Sequence, residues 1–487
     1  MRKTALRYGL PALLVVGLLG CETNPVTGKK EFSLVSKTEE VAMGKEADPS
    51  IVAEYGSYED AALQAYVEQV TMKLAKVSHS PELEWHVRVL DSPVVNAFAL
   101  PGGYVYITRG ILAHLESEAQ MAGVLGHELG HVTARHTAQA VTRETFWGTP
   151  LRVIGSISNE LGAVAGAAEQ GLGLLFLKYG RDAEEQSDEL GVSYSLRAGY
   201  DPRAIPATYL MLKRVSDTGG SKLPVFLSTH PDPGGRETRT AQLAAEAVTR
   251  AGAGKELRVA EQEYKQRIDG VVWGPDPRQG YLVGNRFYAP SLQFQMDFPD
   301  GWKVQNSPAS VVSVNGEQTA AIEVTLASAP AGTAPAAWVS QLQSAKRVAA
   351  ASGGAEKIGG LDAWVGTLQV ATEKGSVNVP AAFVALPNRS LLQALGEARD
   401  EGNKRGIVAA FRSIGPIKDR KFLEVEPARV RVVTTSQAAP LAAVLESLGP
   451  LAASPEEIAV LNNLQLQENV PAGHRLKVVR PGKTPRP

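Results

Sequence analysis

The chain has 487 residues, 44% hydrophobic and 21% charged, enough for about three domains. Its 50 Lys and Arg against 51 Asp and Glu give a formal charge of −1, and nothing in their distribution favours nucleic acid. Cys21 is the only cysteine, which excludes an intrachain disulfide and leaves no thiolate for a metal site.

In chain order, Arg2, Lys3 and Arg7 form a positive n-region ahead of the apolar stretch 10–19, which is too short to span a bilayer. Leu18-Leu19-Gly20-Cys21 resembles a bacterial lipobox, so residues 1–20 read as a lipoprotein signal peptide and Cys21 as the lipidated first residue of the mature chain. Loss of the leader takes the formal charge from −1 to −4. Several acyl chains together anchor a protein stably. Glu22 follows rather than Asp, which by the Gram-negative sorting rule implies the outer membrane, facing the periplasm.

Tyr104-Val105-Tyr106-Ile107-Thr108 is bounded by Pro101-Gly102-Gly103 and Gly110 and reads as a strand. Ser117 and Gln120 form a capping-box pattern ahead of the apolar stripe Met121, Val124, Leu125, which predicts a helix over 118–137. That helix carries His127-Glu128-Leu129-Gly130-His131. Positions i and i+4 share a helix face, so both imidazoles reach one ion. Zinc takes nitrogen ligands, and a catalytic site keeps one coordination position for water. Glu128 then stands as general base. The competing explanation is a pair of histidines that merely line a helix. Gly123, Gly126 and Gly130 each weaken the helix by about 1 kcal/mol relative to Ala, which points to close packing against a neighbour.

Residues 148–180 are rich in Gly, Ala, Leu and Ile but interrupted by Asn159, Glu160, Glu169 and Gln170, so they fall short of a membrane span. They read as a pair of helices forming a movable cover over the site. A second helix, to about Arg197, carries Glu184 and Asp188, again four apart. One carboxylate is expected to close the metal shell and the other to accept a ligating histidine's free N–H. The alternative is a solvated acidic face. His136, five residues after His131, should miss the metal on a continuous helix. His79, His86, His114 and His474 have no partner at ligand spacing and read as structural or exposed.

Four segments together resemble the gluzincin peptidases of the CAAX-prenyl-protease and HtpX-like family, in its periplasmic lipoprotein, outer-membrane assembly-protease branch. They are Asn96-Ala97-Phe98-Ala99-Leu100-Pro101-Gly102-Gly103, the run His127 to His136 (HELGHVTARH), the stretch Arg181 to Asp188, and Thr229-His230-Pro231 with Arg236. The likeness covers roughly residues 24–270. It implies one zinc held by His127, His131 and Glu184, Glu128 as base, and Asp188 behind the ligands. Gln186-Ser187-Asp188 departs from the family's usual Glu-Ala-Asp. The likeness also sets His230 near the zinc, either filling the open position at rest or donating to the developing oxyanion; a surface histidine in a Pro-Gly turn is the bland alternative. Arg236 has two readings, electrostatic help or an ordinary helix-start ion pair. In such peptidases the strand before the zinc helix lies at a sheet edge, where an extended peptide adds to it; an ordinary inner strand is the alternative.

A helix over 238–267 is expected to end the peptidase part, 21–270, before a Gly/Pro-rich linker, 271–284. Residues 285–417 then read as an α+β accessory domain loosely resembling PsbP/Mog-like proteins. Within it Leu292, Phe294, Met296 and Phe298 alternate as a strand, 336–351 looks helical, and 361–370 and 377–385 look like strands. Residues 430–480 have strand–helix–helix–strand order and resemble the second half of a degenerate LysM domain, which implies contact with peptidoglycan; a merely structural terminal domain is the alternative.

The expected fold class is α+β: a mostly helical gluzincin domain with a small edge sheet, the accessory domain, and a small βααβ segment. The expected function is zinc-dependent cleavage of unfolded or misassembled envelope polypeptides by a lipid-anchored enzyme. A chaperone or assembly factor with a latent zinc site and a peptidoglycan-associated protein are the competing classes.

Overall fold

A computed structural model describes residues 21–146, 179–218, 226, 230, 233–252, 256–372 and 375–485. The expected leader, nearly all of the expected cover at 148–180, and Thr229 and Pro231 lie outside the described residues.

The first elements are a small hairpin, β1 (Cys21–Thr23) and β2 (Lys30–Phe32), and helix α1 (Lys37–Tyr55). Ser36 and Glu39 cap α1 reciprocally, satisfying two N–H groups that a helix start leaves without partners. Asp60 caps α2 (Ala61–Lys76). Strands β3 (His86–Leu90), β4 (Ala97–Leu100) and β5 (Tyr104–Thr108) form a sheet in the order β3-β5-β4, with β3 parallel and β4 antiparallel to β5. The strand expected at the edge, Tyr104–Thr108, is therefore the central one. Its five residues are all buried, as a strand covered on both faces requires. The edge beside the metal-site helix belongs to β4. Gly102 and Gly103, at φ +80° and +93°, turn the chain between β4 and β5. A Cβ on Gly102 would meet the Val41 Cα at 2.6 Å, so only glycine lets this turn pack against α1.

After α3 (Arg109–His114) comes α4 (Glu118–Thr133), which stops short of the expected residue 137. Arg135 takes a left-handed conformation, φ +61°, and its buried guanidinium bonds Glu40 (2.8 Å) and the Val35 carbonyl (2.7 Å). These contacts to α1 and the segment before it stabilise the break, and α5 (His136–Phe146) starts anew. Helix α6 (Arg181–Arg197) crosses α4 where glycine meets glycine: a Cβ on Gly126 would lie 3.2 Å from the Gly191 carbonyl oxygen, and one on Gly191 3.1 Å from the His127 nitrogen. The glycines that weaken α4 thus let two backbones touch. Helices α7 (Ile205–Thr218), α8 (Pro233–Ala251) and α9 (Glu261–Ile268) complete this part. The single helix expected over 238–267 is split, with Gly252 at φ +94° and Ala260 at φ +53° ending one piece and starting the next.

Residues 281–416 form a sheet unit. Strands β6 (Tyr281–Val283), β7 (Arg286–Ala289), β8 (Phe294–Asp297), β9 (Lys303–Asn306), β10 (Ser310–Val314) and β11 (Ala320–Leu326) precede helix α10 (Pro335–Ser344). Then come β12 (Ala350–Ile358), β13 (Leu361–Thr372), β14 (Gly375–Ala385), β15 (Leu391–Ala398), α11 (Glu401–Arg412) and β16 (Gly415–Pro416). Seven strands pair antiparallel in the order β12-β13-β14-β15-β11-β10-β9, and β16-β8-β7-β6 form a smaller sheet. The helix expected over 336–351 ends at Ser344. Lys346 turns left-handed at φ +57°, and Ala350 and Ala351 pair with Gln369 and Leu368, so sheet pairing overrides the helix preference of the alanines. Val339 and Leu342 of α10 pack in a core with Trp364 and Phe383, while Ile407 and Phe411 of α11 share a separate core with Val384 and Ala394.

The last segment pairs β17 (Arg429–Thr434) with β20 (Arg475–Arg480). Between them lie β18 (Ala439–Pro440), α12 (Leu441–Ser447), α13 (Pro455–Leu461) and β19 (Asn469–Val470). Its Val430, Leu441, Ile458, Leu461, Leu476 and Val478 join the same core as Leu125 and Leu129 of α4. The residues expected as a linker, 271–284, contribute Val271 to that core, and Val271 and Val272 are buried.

Candidate metal centre

Helix α4 begins at the N-cap Ser117, which accepts from the Gln120 N–H at 3.2 Å. Two turns on, the 3.6-residue repeat sets His127 and His131 on one face with their Nε2 atoms 3.0 Å apart. The α4–α6 crossing brings in Glu184, whose carboxylate lies 3.5 Å from each Nε2. His230 closes the group, with Nδ1 at 3.3 Å from His127 Nε2 and at 3.0 and 3.2 Å from the two Glu184 oxygens. All four side chains are buried.

These four donors lie within 4.8 Å of one another. A tetrahedral centre with bonds of about 2.0–2.1 Å has edges of roughly 3.4 Å. The closest contacts, 3.0–3.5 Å, match those edges. Nitrogen and oxygen donors without sulfur suit zinc. The residues present fit the ion.

The tautomers are fixed from behind. His127 Nδ1 faces Asp188 Oδ1 at 3.0 Å, so its N–H donates there and Nε2 keeps its lone pair. Asp188 is itself held by the Tyr209 hydroxyl (2.6 Å) and by Arg236 Nε and Nη2 (2.9 and 2.6 Å). Arg236 also reaches Glu184 Oε2 through Nη1 at 2.7 Å. It is at once an ion pair in the first turn of α8 and a member of the site. For His131 the chain of donors starts at Gln186. Its Oε1 accepts from His136 Nε2 at 2.9 Å, so His136 Nδ1 accepts from His131 Nδ1 at 3.0 Å. That again leaves Nε2 free toward the cluster. Tyr179 stacks on His131 with ring centroids 4.0 Å apart, and Phe226 stacks on His230 at 4.5 Å.

Burial raises the pKa of Glu128, and its Oε1 has no hydrogen-bond partner among the described residues. His230 Nε2 lies 3.7 Å from that oxygen. Burial opposes charge on His127, but Asp188 and Glu184 outweigh it and raise the pKa to about 9, so without an ion Nε2 also holds a proton, which metal binding would release. Burial likewise opposes charge on Asp188, yet His127 and Arg236 hold it at about 2. Glu184 is held well below the carboxylate range against its burial, by His230, His127 and His131. Burial lowers His131 well below its ordinary value and His136 to about 4.

The structure thus brings His127, His131, Glu184, His230, Glu128, Asp188 and Arg236 together. Cys21 lies apart from them, at the start of β1. Tyr209, Tyr179 and the His136–Gln186 pair were not singled out by their spacing. Only the position of His136 within the HELGHVTARH run hinted at a role. His79 bonds the Tyr194 hydroxyl at 2.7 Å, and His114 is buried against Trp273. Among the described residues no helix is long and apolar enough to cross a membrane.

Residues 61–246 match the family described as Peptidase family M48. The chain is 35% identical over 174 residues to the mitochondrial metalloendopeptidase OMA1 of Arabidopsis thaliana, covering 34% of this chain and 33% of that one. It is 32% identical over 214 residues to the OMA1 of Schizosaccharomyces pombe, covering 42% and 61%. To the beta-barrel assembly-enhancing protease of Escherichia coli K12 it is 27% identical over 227 residues, covering 44% and 46%. The chain therefore spans from one third to about three fifths of these relatives.

Proposed function

We propose that the chain is a zinc-dependent endopeptidase acting on unfolded or misassembled polypeptides outside the cytoplasm, a reading supported by the match of residues 61–246 to peptidase family M48. The observation that carries this reading is the buried four-donor cluster with the Glu128 carboxylate beside it. Zinc held by His127, His131 and Glu184 would supply a Lewis acid and acidify water to a nucleophile near neutral pH.

The chain's own residues do the rest. Glu128 takes the proton, and burial brings its pKa nearer the working pH, where a general base is most effective. Asp188, steadied by Tyr209 and Arg236, keeps His127 in the tautomer that points its lone pair inward. An extended substrate would pair with the edge of β4 once that edge is uncovered, since Ala97 (0% exposed) and Ala99 (8%) are buried in this structure. The Thr108 N–H donates to the Asn96 carbonyl, so alternate positions bond inward and Ala97 and Ala99 turn their main-chain groups outward. Main-chain pairing there binds peptides with little sequence selectivity.

We further propose that Cys21 carries a lipid anchor at the outer membrane, and that the LysM-like segment 430–480 contacts peptidoglycan. The relatives' names as proteases or endopeptidases favour the enzyme over the chaperone alternative, and the beta-barrel assembly in the Escherichia coli relative's name supports substrates of that kind for this chain.

Glu128→Gln is the test. Metal content by mass spectrometry should stay stoichiometric in zinc, while cleavage of casein falls by about 10²- to 10⁴-fold. Folded protein without zinc, or a variant that cleaves as wild type does, would overturn the reading.

A further inference from the structure

Seven large hydrophobic side chains are strongly exposed among the described residues, and three of them, Phe32 (47%), Leu34 (47%) and Val41 (43%), fall within ten positions. Lys30, Phe32 and Leu34 are exposed while Glu31 is half-buried and Ser33 buried between them, so the three share the outward face. The hairpin register pairs Phe32 with Cys21. Lys37 and Val41 stand one turn apart on α1 and are both exposed, as are Lys29 and Lys30.

Most acidic side chains nearby are turned to other work. Glu31 accepts from Asn24 (3.1 Å) and Gln139 (2.8 Å), Glu39 accepts the Ser36 N–H (2.7 Å), and Glu40 pairs with Arg135 (2.8 Å). Glu22 is partly buried and faces Glu31 across the hairpin. Glu39 keeps its charge at the surface, but Lys29, Lys30 and Lys37 outnumber it, so the outward surface is apolar with a basic excess.

This surface is not on a tether. The Asn24 amide donates to the Ala134 carbonyl (3.0 Å), the Leu34 N–H to the Thr142 hydroxyl (3.0 Å), and Arg135 to the Val35 carbonyl (2.7 Å). The segment is strapped to the end of the helix that carries His127 and His131. Only Glu22 and Thr23 separate Cys21 from Asn24, at most about 11 Å of chain.

We propose that the face bearing Phe32, Leu34, Val41, Lys29, Lys30 and Lys37 seats on an anionic phospholipid surface. It holds the peptidase site at a fixed height and orientation on the bilayer, so that substrates are met at the membrane surface. The inference rests on the reading of Cys21 as the anchor point. Lysines near such a surface are attracted by its charge and apolar side chains enter the interface, which together orient a protein that an acyl chain alone only retains.

The test uses the protein without its first twenty residues, coupled through its single cysteine to a maleimide phospholipid in vesicles of phosphatidylethanolamine and phosphatidylglycerol. Hydrogen exchange over 29–43 should slow on the order of fivefold relative to the untethered protein, with 256–263 unchanged as the control surface. Combined Lys29→Glu, Lys30→Glu and Lys37→Glu should abolish that protection and leave casein cleavage in solution intact. Equal exchange in tethered and free protein, or protection that survives the charge reversal, would overturn the proposal. The mass of the N-terminal peptide from native membranes is read separately. An unmodified residue 21 there would end the anchor reading without altering the outcome with the chemical tether.

Discussion

His230 turns Nδ1 toward His127 Nε2 and Glu184 Oε1, at 3.3 and 3.0 Å, and Nε2 toward Glu128, at 3.7 Å. In this arrangement it completes the donor set and covers the base. The expected outcome of His230→Ala is therefore faster basal cleavage of casein, by about tenfold, with zinc retained. A fall in kcat without change in KM would instead assign the ring to oxyanion stabilisation. The rest of the site was legible to different depths. Two i, i+4 pairs, His127 with His131 and Glu184 with Asp188, put like residues on shared faces, and helical geometry alone carries that far. The contact of His136 with His131 was not legible. A straight helix would swing residue 136 away, and only the break at Arg135, held by Glu40 and Val35 from distant chain, returns it. Tyr209 carried no signal either, because its spacing from Asp188 matters only once α7 folds over α6.

Among the elements, the α4–α6 crossing sets the distance between the histidines and Glu184. Gly191→Ala tests this. The added methyl would lie 3.1 Å from the His127 nitrogen and 3.4 Å from the Gly123 carbonyl oxygen, both main-chain atoms inside a helix. The helices would separate by a few tenths of an ångström. We expect a loss of about 1–3 kcal/mol in stability, as overpacking commonly costs. We also expect zinc affinity, measured against a competing chelator, to weaken by about tenfold or more. Unchanged affinity would show that the crossing has slack. Helix starts were readable where a local cap marks them: Ser117 fixed the beginning of α4 within a residue, whereas α8 starts at Pro233, five residues before the expected 238. Ends were less so, since Arg135 and Ala260 adopt left-handed conformations that no local preference demands. The order β3-β5-β4 escaped prediction for a related reason. A fully apolar strand records that both faces are covered, and not which neighbours flank it.

At the scale of the whole molecule, the segment 430–480 shares the core built around α4 instead of having one of its own, and Lys477 shows what joins them. Its buried Nζ donates to the carbonyls of Ala113 (2.9 Å), His114 (3.2 Å) and Leu115 (2.8 Å), the end of α3, and pairs with Glu116 at 2.7 Å. Glu116 also binds Lys265 of α9 at 2.9 Å, one residue before the Ser117 cap of α4. Burial lowers the Lys477 pKa to about 8 from 10.5. Between about pH 8 and 9.5 the unfolded chain keeps this proton while the folded chain releases it, so the Lys477 contribution makes stability rise with pH. Lys265 titrates above its ordinary value, where burial is outweighed by Glu116 and Glu261, and leaves this window untouched. The difference in urea midpoint between wild type and Lys477→Met should therefore widen in favour of wild type from pH 8 to 9.5. A single transition seen both by hydrogen exchange across 430–480 and by zinc release would show the two parts unfolding together. A pH-independent difference, or separate transitions, would mean that the segment is merely appended to the core it touches.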